Sequence, residues 1–358
     1  MDLSGTKVGR YVLVVTAALV VLVAAMIGTR GAWSPGEGAS RFTVPDESVL
    51  AVLALYPPRV LVVDPVTLEV AQTIPLRSAS IDLDGSEGII VTAQCGRPGD
   101  DSDTVLGVLD LGKGSLDYLE TNHLDPEVVC VSGDTAICLN GEVLQHGQAG
   151  ALLDLPTRSV TSLVLPHGTV AMAGGRESVW LAERVPGDDA DSPDDRLWVF
   201  DSDGSPSLVA SVPAVAAMDA IGDRVWILHQ GEHPSVAVRA QGAGKPALTV
   251  ALDRVMPEAR RICALETGGF VVSDYDGADP KDGSGNVLIF DEDGAPTHVP
   301  EAMPGPTAMA ETPEGLVVVC QASGELARVD IGTGEVLARE EITSEVGDLV
   351  DCVYVLMP

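Results

Sequence analysis

Short apolar runs alternate with polar turns along most of this chain, and the alternation repeats. An apolar run, a turn that begins with Asp and a second apolar run occur together in "VVDPVTLEV", "VLDLGKGSL" and "LLDLPTRSV". Each copy predicts a β-hairpin, because Asp, Gly and Pro favour tight turns between strands. The seven turn positions are Asp64, Asp110, Asp154, Asp201, Arg239, Asp291 and Asp330, with Arg239 marking a degenerate copy.

The spacing of these hairpins indicates a propeller. Successive turns are 46, 44, 47, 38, 52 and 39 residues apart, and a repeat of roughly 40–50 residues with four short strands is typical of a blade. A second hairpin precedes most copies, as in "AMAETPEGLVVVC", and no long helical period follows residue 29. The predicted fold is therefore an all-β, seven-bladed β-propeller, preceded by one N-terminal transmembrane helix.

The two ends of the repeat array predict how the ring closes. The four strands of a blade are named a to d from the axis outward, and the first blade, which opens with "SVLAVLALYPPRVLVVD", has no candidate for strand a. The C-terminal stretch "DLVDCVYVLMP" is a strand without a hairpin partner. We expect it to supply strand a of blade 1, which would remove an open sheet edge.

The hairpin sequence also carries a family resemblance. The form "VDxxTGEV", best preserved in "VDIGTGEVLA" and "VDPVTLEVAQ", resembles the seven-bladed YVTN, lactonase-like and quinoprotein-like propellers. The resemblance covers residues 45–358 and implies the fold. It implies little about function, because this fold hosts enzymes, scaffolds and binding modules.

The first residues of the chain predict a membrane anchor. Residues 11–29, "YVLVVTAALVVLVAAMIGT", contain no charge, and 19 helical residues span about 28 Å, close to the bilayer core. We expect a short cytoplasmic tail (1–10), a single-pass transmembrane anchor (11–29), a flexible tether (30–44) and an extracytoplasmic propeller (45–358). Basic residues flank the run almost equally, so the short tail and the cysteines decide the orientation. A cleaved signal peptide is the alternative.

Composition limits the classes of binding partner that we expect. The formal net charge is −32, and only 4% of residues are aromatic although 46% are hydrophobic. Such a surface repels nucleic acid, so a protein or cationic ligand is expected, in addition to the membrane contact through residues 11–29. The charge could instead serve solubility alone. The scarcity of Lys is typical of a bacterial protein from a GC-rich genome.

Three long b–c loops concentrate the acidic residues. They are "GRPGDDSDT" in blade 2, "VPGDDADSPDD" in blade 4 and "YDGADPKDGSGN" in blade 6, and b–c and d–a loops share one face of a propeller. We call these loops the acidic rim. No cofactor and no defined metal-ligand set is predicted, but calcium suits such carboxylates; solvated loops without a ligand are the alternative. The predicted binding residues are Asp100, Asp101, Asp103, Asp188, Asp189, Asp194, Asp195, Asp276, Asp279 and Asp282, with a basic spot of Arg254, Arg260 and Arg261 on the same face.

Six cysteines permit disulfides outside the cytoplasm. The blade register places Cys95 near Cys130 and Cys320 near Cys352, each pair in adjacent blades. A Cys130–Cys138 bridge within one hairpin is a rival, and buried free thiols are the alternative.

The sequence contains no recognisable catalytic motif, and we predict no catalytic residue. The stretch "HQGEH" at 229–233 has the letters of a zinc-peptidase motif, but such a motif requires a helix, and Gly231 and Pro234 indicate a loop. The expected function is a non-catalytic binding or scaffold module that holds its ligand on the acidic rim. The alternatives are a lactonase-like or quinoprotein-like enzyme, and a sensor or accessory subunit of a membrane complex.

Overall fold

The computed structural model describes most of the predicted propeller. The described residues are 40–43, 47–94, 105–121, 126–144, 147–165, 168–175, 178–184, 195–201, 206–231, 233–274, 285–299, 301, 303–345 and 347–357. Within these ranges the chain forms 29 strands and no α-helix. The strands pair into seven antiparallel sheets, which confirms the all-β, seven-bladed prediction.

Each blade contains a meander of four strands, and blade 2 carries β1 as a fifth, outer strand. The four meander strands are consecutive along the chain in every blade except blade 1. Blade 1 contains β2 (Val49–Ala54), β3 (Arg59–Val63), β4 (Val70–Pro75) and β29 (Leu349–Val355). Blade 2 contains β1 (Ser40–Arg41), β5 (Asp82–Ser86), β6 (Ile89–Ala93), β7 (Val105–Asp110) and β8 (Ser115–Glu120). Blade 3 contains β9 (Pro126–Ser132), β10 (Thr135–Leu144), β11 (Gly147–Asp154) and β12 (Ser159–Leu165). Blade 4 contains β13 (Gly168–Gly174), β14 (Ser178–Arg184), β15 (Asp195–Asp201) and β16 (Pro206–Val212).

The remaining three blades follow the same order. Blade 5 contains β17 (Val215–Ile221), β18 (Arg224–His229), β19 (Ser235–Ala240) and β20 (Leu248–Ala251). Blade 6 contains β21 (Arg261–Ala264), β22 (Phe270–Ser273), β23 (Val287–Phe290) and β24 (Pro296–His298). Blade 7 contains β25 (Pro306–Thr312), β26 (Gly315–Cys320), β27 (Glu325–Val329) and β28 (Val336–Glu341).

The C-terminal strand closes the ring, as the sequence predicted. β29 pairs antiparallel with β2, from Val49 opposite Val355 to Leu53 opposite Asp351. Just before β29, the buried Asp348 carboxylate accepts a hydrogen bond from Arg59 in β3 at 2.6 Å. β2, near the start of the described chain, and β29, near its end, are thus joined within blade 1.

The recurrent Asp of each hairpin has a local structural role. In blade 1, Asp64 Oδ1 accepts hydrogen bonds from the backbone amides of Val66 and Thr67, both at 2.8 Å. Asp154 and Asp330 each accept hydrogen bonds from the backbone amide and the hydroxyl of a Thr three residues later, Thr157 and Thr333 respectively. These bonds satisfy turn amides that have no strand partner, which explains why the chain repeats Asp at this position.

The core lies between neighbouring blades and is built mainly from aliphatic side chains. Strands b and c are almost wholly buried, whereas the outer strand β4 is mostly exposed. Trp180 and Trp226 are buried in this core. The rings of Phe270 and Phe290 stack with centroids 4.6 Å apart. Few aromatic residues therefore suffice, because each sheet buries both faces against its neighbours.

Residues 40–42, within the predicted tether, contact blade 2. Ser40 and Arg41, within the predicted 30–44 tether, form β1 and pair with Leu116 and Ser115 of β8. Phe42 continues the contact, since its amide donates to the carbonyl of Gly114 at 2.9 Å and its ring packs against the core. Pairing with blade 2 therefore includes residues before position 45. Among the described residues no helix is long and apolar enough to cross a membrane, and the predicted anchor lies outside them.

Candidate functional site

The strands nearest the axis enclose a central tunnel. The inner strands β29, β5, β9, β13, β17, β21 and β25 contact one another in ring order. They line a cavity of about 1090 Å³, which is large enough for a small organic ligand. Sequence reasoning placed the site on loops and missed this cavity. The available signal was the group of Asp residues in the strand a segments "SIDLDGS", "AAMDAI" and "DLVDCV".

The lining of the tunnel is strongly acidic. Among the described lining residues nine carry a carboxyl group, and Arg261 alone carries a positive charge. The acidic lining residues are Asp82, Asp84, Glu127, Asp219, Glu266, Glu311, Glu314, Asp330 and Asp351. A low-dielectric wall focuses the field of the charges that line it, so the ionised carboxylates in this lining give the cavity a negative potential.

Four of these residues connect neighbouring blades, and we call Asp82, Asp84, Asp219 and Asp351 the inter-blade aspartates. Each accepts a hydrogen bond from a backbone amide of the next inner strand. Asp351 binds Leu83 at 3.2 Å and Asp82 binds Val129 at 2.7 Å. Asp84 binds Val131 and Asp219 binds Ala264, both at 2.7 Å. An inner strand is the edge of its sheet, so these carboxylates satisfy amides that would otherwise lack a partner.

Burial raises the pKa of all four inter-blade aspartates, because a charged carboxylate is poorly solvated there. The pKa of Asp84 rises to about 7 and that of Asp219 to about 6. Asp82 and Asp351 also have raised pKa values from burial, and their carboxyl groups are hydrogen-bonded to each other. Two carboxyl groups in such contact share a proton, so this wall of the tunnel retains protons at mildly acidic pH.

Three thiols lie in the same wall, and they correct the disulfide predictions. Cys130, Cys263 and Cys352 line the tunnel, and burial raises the pKa of each well above its ordinary value. They are therefore protonated and poor nucleophiles.

The predicted Cys320–Cys352 bridge is not present in this structure, where both residues are free thiols. Cys320 packs with side chains of blades 6 and 7, and Cys352 packs between blades 7 and 1. Cys130 and Cys138 are also free, which excludes both predicted pairings of Cys130 in this structure. Cys95 lies outside the described residues. These thiols behave as small apolar core groups.

Most of the predicted acidic rim lies outside the described residues. This applies to Asp100, Asp101, Asp103, Asp188, Asp189, Asp194, Asp276, Asp279 and Asp282. Asp195 is described and is not a free loop carboxylate: it begins β15 and is fully buried. Both of its oxygens accept hydrogen bonds from the Arg184 guanidinium at 3.1 Å, and one also accepts a hydrogen bond from the backbone amide of Val215 at 2.7 Å.

The three arginines of the predicted basic spot have different surroundings. Arg261 begins β21, lines the tunnel and pairs with Ser273, the last residue of β22. It therefore lies where the acidic b–c loop of blade 6 begins. Arg260 forms an ion pair with Glu258 at 3.4 Å, and Arg254 is exposed in a turn. Only Arg261 is part of the tunnel wall.

The "HQGEH" stretch is not helical at its described positions. His229 ends β18, is buried, and its Nδ1 lies 3.1 Å from the carbonyl oxygen of Pro213. Burial lowers the pKa of His229, whereas His233 is exposed and lies 3.8 Å from Asp253. In the described part of the chain, no three His, Cys, Asp or Glu side chains are arranged to hold a metal ion.

The closed ring of seven antiparallel sheets, each built on a four-stranded meander, defines a seven-bladed β-propeller, and comparison with solved structures agrees. A protein of unknown function from Desulfotomaculum acetoxidans superposes with a TM-score of 0.59 and 13% identity, over 87% of this chain and 99% of that one. A protein provisionally assigned as a 6-phosphogluconolactonase from Bacteroides uniformis gives 0.58 and 15%, over 87% and 100%. AztD from Citrobacter koseri gives 0.55 and 15%, over 83% and 82%.

These identities show a common fold and nothing finer. No family model and no curated protein sequence matches the chain. The fold-level resemblance to lactonase-like propellers, inferred from the hairpin sequences, is thus confirmed as a resemblance in architecture.

Proposed function

We propose that this protein is a membrane-anchored, extracytoplasmic β-propeller that binds a positively charged ligand or partner without catalysing a reaction. The observation that carries the proposal is the tunnel lining, in which nine carboxyl groups accompany one guanidinium. The net charge of −32 reinforces the same preference over a longer range. Such a field draws cations toward the cavity and repels phosphates.

The acidic rim would form the entrance to this tunnel. Arg261, which lines the tunnel, is paired with Ser273 at the end of blade 6 from which its b–c loop starts, and this pairing supports the proposal. Cations would then meet the rim before they reach the inner strands. Calcium is the metal whose preference for carboxylate and carbonyl oxygens suits these loops.

Anchoring and location rest on the sequence. The uncharged run at 11–29 precedes β1 by ten residues, which would hold the propeller close to the bilayer. A sensor or accessory subunit would use the same arrangement. The enzyme alternative is supported by fold resemblance alone, since the described tunnel thiols are protonated and the inter-blade aspartates are bonded to backbone amides.

Thermal unfolding in the presence of different cations tests the proposal. A cation that binds only the folded protein raises its stability by RT ln(1 + [L]/Kd), about 2.7 kcal/mol at a hundredfold excess over Kd. We expect millimolar CaCl2 or a pentalysine peptide to raise the melting temperature, whereas NaCl at the same ionic strength does not.

A variant with Asn at Asp188, Asp189 and Asp194 should respond less to CaCl2 if the blade 4 loop binds calcium. Asp195 stays unchanged in this variant, because it is part of the fold. If NaCl, CaCl2 and pentalysine all give the same response, the charge is only a solvated surface and the proposal is wrong.

A further inference from the structure

The tunnel has an apolar component beside its charge. Ile81 is 45% exposed and Val128 is 38% exposed, and both line the cavity from neighbouring blades 2 and 3. Val170 and Ile262 line it as well and are half-buried. Isolated exposed apolar side chains need no explanation, but several that line one cavity are typical of a ligand site.

These apolar residues lie close to carboxyl groups along the chain. Ile81 precedes Asp82, and Val128 follows Glu127, so each apolar residue is adjacent to an acidic one that lines the same cavity. Ile81 immediately precedes β5 and Asp82 begins it, whereas Glu127 and Val128 lie in the first half of β9. A ligand at this position would meet negative charge and apolar surface together.

The carboxylates are poorly suited to bind a bare metal ion directly. Asp84 accepts the amides of Val131 and Gly85, so both of its oxygens are occupied. The oxygens of Asp219 accept the amides of Ala264 and Ala220.

Asp351 is occupied in the same way, by the amides of Leu83 and Cys352. A calcium ion requires six to eight oxygen ligands, and these aspartates could supply them only by giving up bonds between blades. To the extent that they are ionised, these aspartates therefore act on a ligand through space.

We infer that the tunnel binds an organic cation, with a protonated amine in the field of the carboxyl groups and an apolar body against Ile81 and Val128. This assignment rests on the proposed binding function and names its ligand class. A neutral molecule would gain only the apolar contact. A small inorganic cation would gain only the electrostatic attraction of the carboxyl groups, which salt screens over about 10 Å. An organic cation gains both.

The probe pair that tests this is 4-phenylbutylammonium and its neutral counterpart 4-phenylbutanol, measured by titration calorimetry at low salt. The two differ in charge but have almost the same apolar surface. We expect the ammonium compound to bind roughly tenfold tighter than the alcohol, a factor within reach of one partly screened charge interaction. Raising the NaCl concentration should reduce this difference.

Variants locate the site. Ile81→Ser and Val128→Ser change exposed side chains, so the fold should remain intact, and each should weaken ammonium binding at least threefold. Leu337→Ser is the matched control, since Leu337 is 46% exposed but lies on the outer strand β28. This control should bind like the original protein.

The possible outcomes separate the two proposals. A calcium response without ammonium binding would overturn the organic-cation assignment and leave the cation-binding function in place. Equal affinity for the ammonium compound and the alcohol, or unchanged affinity in both tunnel variants, would also overturn it. If neither calcium, pentalysine nor the ammonium compound binds, both proposals fail.

Discussion

Aspartate carboxyl groups in this protein behave differently according to their surroundings. On the exposed hairpin turns, the hydroxyl and amide of Thr157 hold the pKa of Asp154 below its ordinary value, and Thr333 does the same for Asp330. On the inner strands, burial raises the pKa of Asp84 and Asp219 instead. One residue type thus stabilises turns as an anion and joins blades in a more protonated form.

Asp195 provides a test at the scale of a single residue. Asp195→Asn removes the charge that Arg184 faces and places an amide group where one oxygen accepted a bond. Hydrogen bonds to charged groups contribute about 1.5–3 kcal/mol, so we expect a loss of roughly that size in the free energy of unfolding, measured by urea denaturation.

Asp194→Asn is the matched control, one residue earlier in the predicted loop, and should change stability by less than about 0.5 kcal/mol. Equal effects of the two substitutions would contradict the assignment of Asp195 to a structural ion pair.

The acidic residues around position 195 show how precisely a sequence pattern can locate the boundary between a loop and a strand. A run such as "DDADSPDD" predicts a charged loop, but the residue at which the loop ends and β15 begins depends on Arg184 in the preceding strand. The tunnel presents the same difficulty on a larger scale. Asp82, Asp219 and Asp351 are far apart in the chain, and only ring closure places their strands around one cavity.

At the scale of the strand, β29 closes the ring. It brings Asp351 and Cys352 into the tunnel wall and covers the inner edge of β2. Sequence alone predicted this closure, because an unpaired strand at one end matched a missing strand at the other. It did not predict the side-chain contacts of Cys320 and Cys352. A blade register places strands side by side but does not determine which neighbouring sheet a thiol packs against.

Deletion of residues 348–358 should therefore open the ring. The truncated blade 1 would expose the edge of β2 and lose the Arg59–Asp348 ion pair. An exposed edge of this kind pairs with other chains, so we expect oligomers in light scattering and a lower melting temperature. Deletion of residues 357–358 alone leaves β29 whole and should have little effect. A truncated protein that remained monomeric with unchanged melting would contradict this role of β29.

The molecule as a whole combines a net charge of −32 with buried carboxyl groups that hold protons in the folded state. In the unfolded chain an Asp has a pKa of about 3.9, so folding raises the pKa of Asp84 and Asp219. Between the unfolded and folded values the folded protein binds more protons, and its stability then decreases as the pH rises. General charge repulsion acts in the same direction.

The protein should accordingly be more stable in mildly acidic solution than above neutrality. The stabilising contribution of Asp84 and Asp219 is complete below about pH 4, where the unfolded chain is protonated too. It is lost as the pH passes through about 6 and about 7, their folded pKa values. We expect the melting temperature at pH 8 to be lower than at pH 5 by on the order of 5 °C.

The double variant Asp84→Asn and Asp219→Asn should show a flatter pH profile of melting temperature, since neither side chain can ionise. A melting temperature of the unaltered protein that is the same or higher at pH 8 would contradict the raised pKa values.

Closure by the last strand also affects how the molecule is made. β2 emerges from the ribosome 300 residues before β29, whose pairing completes blade 1. At synthesis rates of about 5–20 residues per second, that interval is roughly 15–60 s. During this time blades 2 to 7 can form from consecutive segments, while β2 to β4 wait as an incomplete sheet. A protein of this design depends on protection of one early segment until translation has nearly finished, and a chain exported across a membrane would have to complete its ring on the far side.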